Sequence, residues 1–558
     1  MKRLFLIISA SFLFGAVADA QENAGYLTGS LETNNHYYLD DKSVGTAVDG
    51  DRFASNNYLK LDYYKGNFSA GMQLEGYLPA IVGYNTEEYP SILSGMDLSN
   101  FYASWKDDSF SVTVGTFYDQ FGSGLLFRSW EDRALGINNA VLGARATYNY
   151  KDILSLKALW GLPRFGMGLF TAGGSADRNL FNSATHVRGA DLSFAVSNLC
   201  GWNDLYLAVE GSVLSRFEPM ANQILKSEGA QESTLGWSAR ANVEYSGFFL
   251  KGEYVDAGWK YFGNPDYDWT DSGSNKYTGK KGNAVLVDMG YNGRGLGVTL
   301  TARRLEYMSS HIFEDPDNGG LRALVGNTLN YIPALCTQYT YMLTNLHPYT
   351  AFTPSILSAD NRTSGEMGFQ LDAFYNFRRG TAIGGKRGMK IHANFSTYYG
   401  IARQYTMQPG EMLFRDFSFD VERQWTKKFK MLLMYSYQKY GNQRLQNIFV
   451  ADLLYKFTDR LSTRLELQYL STRQDEKDWM AVLAEVNFAP NWSVFASDMY
   501  NHGSSLTHYY NFGVSYSKSR TRVALGYGRY KDGYICSGGV CRRIPAYTGA
   551  NLTITTSF

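Results

Sequence analysis

From Gly25 onward, apolar and polar residues alternate in segment after segment of the chain. Leu461, Thr463, Leu465, Leu467 and Tyr469 share one side of a period of two, and Ser462, Arg464, Glu466 and Gln468 share the other. The same alternation sets Leu59, Leu61 and Tyr63 against Lys60, Asp62 and Tyr64, and Tyr510, Phe512, Val514 and Tyr516 against Asn511, Ser515 and Ser517. It returns at Phe101/Ala103/Trp105 and at Val523/Leu525/Tyr527. Each predicts a strand with one oily and one polar face. A soluble sandwich turns its oily faces inward onto a shared core; a transmembrane barrel turns them out to lipid and lines its lumen with the polar ones.

Strand length and connection length choose between the two. The alternating segments run about ten to fourteen residues, longer than the ~5–6 usual in soluble sheets and enough for the ~9–11 that cross a bilayer at a tilt. Tight turns at Lys65-Gly66-Asn67, Lys106-Asp107-Asp108, Tyr150-Lys151-Asp152, Thr458-Asp459-Arg460 and Ala489-Pro490-Asn491 alternate with long connections at Leu78 to Asp97, Phe121 to Ala140, Tyr261 to Gly282 and Met308 to Gly365. Short periplasmic turns and long external loops are the habit of outer-membrane barrels, and a sheet in lipid must close on itself because open edges stay unsatisfied there. The expected fold is all-β: a closed antiparallel transmembrane β-barrel of about 24 strands, within a range of about 22 to 26.

Composition agrees. Glycine, at 56 of 558 residues, is abundant against the usual ~7%, and proline, at 12, is scarce against ~5%. Scarce proline suits a sheet in which nearly every N–H donates to a neighbouring strand, and the 42 tyrosines suit lipid–water boundaries. A net charge of +1 without basic clusters gives nucleic-acid binding no support. Lys2 and Arg3, an apolar run from Leu4 to Val17 and Ala18-Asp19-Ala20 have the layout of a cleavable secretory signal, which divides the chain into a leader over 1–20 and one barrel domain over 21–558. The last residues, Leu552 to Phe558, alternate and stop on an aromatic, which resembles the C-terminal strand signal of bacterial outer-membrane barrels.

The whole mature chain resembles a porin-type outer-membrane β-barrel, and Gly122 to Arg145 (GSGLLFRSWEDRALGINNAVLGAR) resembles a segment of uncharacterised barrels of Bacteroidota. The resemblance implies a fold and a place, the outer membrane of a Gram-negative bacterium with outer-membrane lipid as surroundings, and no substrate. TonB-dependent transporters carry a plug domain before the barrel; here alternation starts at Gly25-Tyr26-Leu27, which favours passive passage of small hydrophilic solutes. The alternative is a non-conducting barrel serving as subunit or scaffold of a larger complex with another outer-membrane protein or a surface lipoprotein.

Counting strands makes Phe121 to Ala140 the third external loop, the one that folds into the lumen in general porins. By that analogy Arg128, Glu131, Asp132, Arg133 and Arg145 line or buttress a constriction, while a plain solvated or rim-packed loop is the other reading. Tyr331, Tyr339, Tyr341, Tyr349 and Phe352 make the longest connection either a lid over its own barrel or a partner-binding surface. Cys536 and Cys541 are spaced for a small disulfide in the last external loop, whereas Cys200 and Cys336 fall on opposite ends of the barrel. His502-Gly503-Ser504 has the His-x-Ser spacing of outer-membrane phospholipases, but Tyr516 replaces their orienting Asn, so no enzyme is expected. Glu314 to Gly319 is oxygen-rich without the bidentate Glu of an EF-hand. No cofactor or metal motif appears.

Overall fold

A computed structural model describes residues 25–46, 48, 52–79, 95–164, 181, 185–219, 226–263, 273, 275–313, 328–351, 364–401, 410–442, 444–474 and 476–558. The predicted leader, the Glu314 to Gly319 stretch and Phe352 lie outside the described residues. Twenty-four antiparallel strands, each paired with its neighbours in sequence, form one sheet. It closes when the last strand, Tyr547–Ser557, pairs with the first, Tyr26–Leu39, with Ser30 opposite Ser557 and Leu39 opposite Thr548. Phe558 exchanges both backbone hydrogen bonds with Gly29 at 2.9 Å, and its ring occupies the space where a Cβ on residue 29 would stand. The terminal aromatic is thus part of the seam, and Gly29 is what lets it lie there.

The strands run with the polarity expected of a membrane barrel and opposite to that of a soluble sheet. On Leu461–Ser471, Leu467 and Tyr469 are 46% and 37% exposed while Glu466 and Gln468 are 5% exposed. Oily faces point out and polar faces point in. No helix among the described residues is long and apolar enough to cross a membrane. Connections at one end are mostly two to four residues long, exceptions being 196–204, with its helix Val196–Cys200, and 378–388. The other end carries the segments 118–140 and 307–364.

At ~4.8 Å between strands tilted by ~40°, 24 strands make a wall roughly 150 Å around and, if circular, about 45–50 Å across. Side chains of the wall cannot fill such a lumen. The chain places 118–140 and the described stretch 328–351 inside it.

Candidate functional site

The segment 118–140, the third long connection in chain order, leaves the strand Phe110–Phe117, turns into the lumen and returns to the strand Val141–Tyr150. Its apolar residues take it there. Phe121, Leu125, Leu126 and Phe127 are buried in a cluster with Leu159, Val187, Leu214, Val255 and Leu305, which stand on the inner faces of wall strands. Phe121 and Phe127 pack ring to ring at 5.1 Å. Fully burying each such side chain is worth roughly 1.5–3 kcal/mol, so a short loop gains a firm seat on a mostly polar wall. The wall had to be prepared for it: at these positions the strands Leu205–Phe217 and Phe248–Gly263 are apolar on both faces, with Val213 and Tyr254 outside and Leu214 and Val255 inside. That local loss of alternation is the sequence signal for a docking seat.

Charges fix the two ends of the segment. Near its start, the Ser123 amide donates to Glu253 at 3.2 Å, beside Arg240, which reaches Asp191, Glu210 at 2.7 Å and Ser212 at 2.6 Å. Gly122 lies against that pair with φ +52°; a Cβ would stand 2.6 Å from Arg240 Cδ and 2.7 Å from Glu253 Oε1. Both the backbone angle and the space demand glycine there. Toward its end, Arg133 donates to Glu32 at 2.8 Å, Glu131 at 3.1 Å and Gln73 at 3.2 Å, and lies 4.4 Å over the ring of Tyr58. Burial opposes the charge of Arg133, but Glu131 and Glu32 outweigh it and hold the guanidinium protonated. Beside it, Asn138 donates to Glu75 at 2.6 Å, and Arg164 clamps the same carboxylate at 2.8 and 3.2 Å.

The structure separates the five charged candidates by role. Arg133 and Glu131 tie the segment to the wall. Arg145 is on the strand Val141–Tyr150, where it donates to the Tyr118 carbonyl at 2.9 Å and stands 3.6 Å from Asp119. Asp132 accepts from the Leu135 amide and shapes a turn. Arg128 alone of the five has no ion-pair or side-chain hydrogen-bond partner among the described residues; its guanidinium lies 3.8 Å over the ring of Tyr331 and 5.1 Å over Trp130. These charges mostly buttress the segment.

Tyr331 belongs to the second inward segment, described over 328–351. It pairs with the first: Arg128 N donates to Leu329 O and Tyr331 N to Gly124 O, both at 2.9 Å. Beyond, it crosses to the other side of the wall. Arg303 donates to Pro333 O and to Glu366, both at 2.6 Å; Tyr398 donates to Leu335 O at 2.8 Å. Tyr339 donates to Asp420 at 2.8 Å, Tyr341 to Asp452 at 3.2 Å, and Tyr349 to Glu366. Burial pushes all three phenols above their usual pKa, so they remain donors. Tyr341 and Leu343 pack with Met434, Ile448, Val450, Leu470 and Trp479, a second apolar seat on the inner wall. Of the tyrosines considered as a lid or partner surface, Tyr339, Tyr341 and Tyr349 thus bond carboxylates of the wall, while Tyr331 meets the first segment.

A third element holds this segment from the mouth. The hairpin Gly533–Ser537/Val540–Ile544 is closed by a Cys536–Cys541 disulfide. Gly539 O accepts from Ala334 N at 2.9 Å, Gly539 N donates to Gln338 at 3.1 Å, and the Tyr331 hydroxyl donates to Gly538 O. Cys200, exposed at the short-turn end, and Cys336, within the lumen, are free. Burial raises the Cys336 thiol pKa, which leaves it unreactive. His502 stacks near Tyr469, at 5.8 Å, and the Ser504 amide donates to Asn501; no hydrogen bond joins the His502 ring to the Ser504 hydroxyl among the described residues. No group of three metal-ligating side chains occurs among them either.

An outward oily face, a polar lumen and closure without a free edge define an outer-membrane-type β-barrel, here with its own loops seated inside. The chain belongs to a family of unknown function, DUF6029, whose profile matches residues 1–558. No curated protein matches it. Among solved structures it is similar to the P pilus usher (PapC) translocation pore, at 8% identity and a TM-score of 0.36 over 95% of this chain and 99% of that one. It is also similar to the siderophore receptor PirA from Acinetobacter baumannii, at 9% identity and a TM-score of 0.41 over 97% and 81%. A triple mutant of the Rhodopseudomonas blastica porin matches at 12% identity and a TM-score of 0.28 over 63% and 100%.

Proposed function

We propose that the protein is a channel of the Gram-negative outer membrane for passive diffusion of small hydrophilic solutes, narrowed by its two inward segments. The observation that carries this reading is the seating of 118–140 and 328–351 on the inner wall by paired charges and apolar contacts. Irregular backbone at membrane depth is stable only where protein or water satisfies it, and a wet, partly filled lumen does both. Because most charges of the segments are paired, the passage selects chiefly by size. Arg128, held by rings and not by a carboxylate, is the residue through which charge would act.

The test is conductance of the purified chain in planar bilayers. Discrete steps far below those of an empty barrel about 45–50 Å wide, with ion preference shifted by Arg128→Glu, support the channel. The same seating also supports a second reading, a barrel stoppered by its own loops that serves as a subunit of a larger surface complex. Absence of conductance at every voltage and salt concentration, with stoichiometric co-purification of another protein, would replace the first reading by the second.

A further inference from the structure

The short-turn end of the barrel is electrically lopsided. The turns 66–67, 107–109, 151–153, 196–204 and 246–247 hold one basic residue, Lys151, against Asp107, Asp108, Asp152 and Asp204, and the turns 294–295 and 519–520 hold a single arginine each, Arg294 and Arg520. The turn 378–388, by contrast, holds Arg378, Arg379, Lys386 and Arg387 and no acid. Lys427 and Lys428 follow in the turn 425–428, and Arg460 with Asp459 in the turn 457–460. Seven basic residues thus face one acid in three turns of a chain whose formal charge is +1.

The three turns form one surface. They join six strands that are consecutive around the barrel, from Gly365–Phe377 to Leu461–Ser471. A Cβ on Gly385 would stand 2.7 Å from Arg423 Nη2, at the foot of the second turn. Lys428 Nζ donates to Phe457 O at 3.1 Å, joining the second turn to the third. Apart from Arg387, which is half-buried, the seven are exposed, and none has an ion-pair partner among the described residues. The flanking Lys430 already holds the nearby Glu422, at 2.9 Å. So many like charges on an arc roughly 30 Å long repel one another unless an anionic layer compensates them.

Lipid-facing aromatics give the depth of that layer. Trp425, Tyr455 and Phe457 are 48%, 41% and 50% exposed at the ends of these strands, and Ile383 in the first turn is 53% exposed. Arg423 lies 4.3 Å over the Trp425 ring. Exposed aromatics at strand ends sit at headgroup level, and basic side chains beside them have lipid phosphate as the anion within reach. We propose that this arc binds anionic phospholipid headgroups of the leaflet on the short-turn side, fixing a shell of lipid on one side of the barrel. The proposal rests on the outer-membrane placement given above.

The experiment is native mass spectrometry of the full chain released from bilayers of phosphatidylcholine mixed with phosphatidylglycerol, after heat-modifiability in detergent gels has confirmed insertion. Wild type retains phosphatidylglycerol selectively. Each basic residue near an anionic surface is worth about fivefold, so joint replacement of Arg378, Arg379, Lys386 and Arg387 by Gln lowers that preference at least about tenfold. Replacement of the three arginines among them by Lys preserves it, and Lys151→Gln on the opposite arc leaves it unchanged. Equal retention of both lipids by an inserted barrel overturns the inference alone. Stoichiometric capture of an acidic protein that the same Gln variant abolishes, without lipid preference, also overturns it. A chain that never inserts overturns the membrane placement and this inference together.

Discussion

Phe127 has no exposed surface and packs on Phe121 at 5.1 Å, in the cluster that seats the first inward segment. Replacing it with alanine removes the ring and leaves a cavity, and such changes cost about 3–5 kcal/mol because the surroundings collapse only in part. The barrel itself keeps its strand pairing, so the cost falls on the equilibrium between the seated and the released segment. At 1.4 kcal/mol per decade, the released fraction rises roughly 10²-fold to several thousandfold. Single-channel recording reads this directly: wild type holds a steady low conductance, whereas Phe127→Ala flickers to a larger one, more often as temperature rises. Gly122→Val, which forces a side chain into Arg240 and Glu253 at a positive φ, gives the same phenotype through the segment's charged anchor instead of its apolar seat. An unchanged conductance histogram in both variants, with the barrel still heat-modifiable in detergent gels, would refute the claim that this segment sets the passage.

Three further outcomes follow from the same geometry. Arg133→Ala strands Glu32 and Glu131 and uncovers Tyr58, and in a wet lumen it costs about 1–3 kcal/mol in thermal unfolding; Arg133→Lys restores only part, since an ammonium cannot reproduce the three-way fork. Asp41 is held at about 2 because hydrogen bonds from Arg529 and Thr548 outweigh its burial. Its folded pKa is depressed, so its contribution is complete above the ordinary aspartate pKa and is lost as pH falls through about 2; Asp41→Asn removes that acid-side slope, as protease accessibility of the 40–52 loop against pH will read. Maleimide labels Cys200 in the folded protein and Cys336 only after denaturation, and peptide mapping finds the Cys536–Cys541 link; a Cys200–Cys336 crosslink would contradict the strand register.

The period of two along Leu461 to Tyr469 and its repeats was enough to reveal long strands, and alternating short and long connections were enough to close them into a barrel with Phe121 to Ala140 in the third long connection. Those features are local: each strand shows its two faces, and each turn its length, within a dozen residues. The strand number followed from the same count. What the sequence left open was where the long segments go, because that depends on wall residues far along the chain. Glu32 and Arg133 are 101 positions apart, Ser123 and Glu253 130, and Tyr331 and Gly538 207. Alternation even misassigns one inner face: continued past Val255 and Ala257 it would put Trp259 inside, but a bulge between Asp256 and Gly258 turns Trp259 out to lipid and buries Lys260. The alternating pattern by itself determined a closed, lipid-facing sheet, because membrane strands must satisfy their backbone and present one oily face. Only the tertiary structure decided that two of the chain's own segments seat inside the lumen, because apolar seats such as Leu214, Val255 and Ile448 gain meaning only when a distant loop is brought onto them.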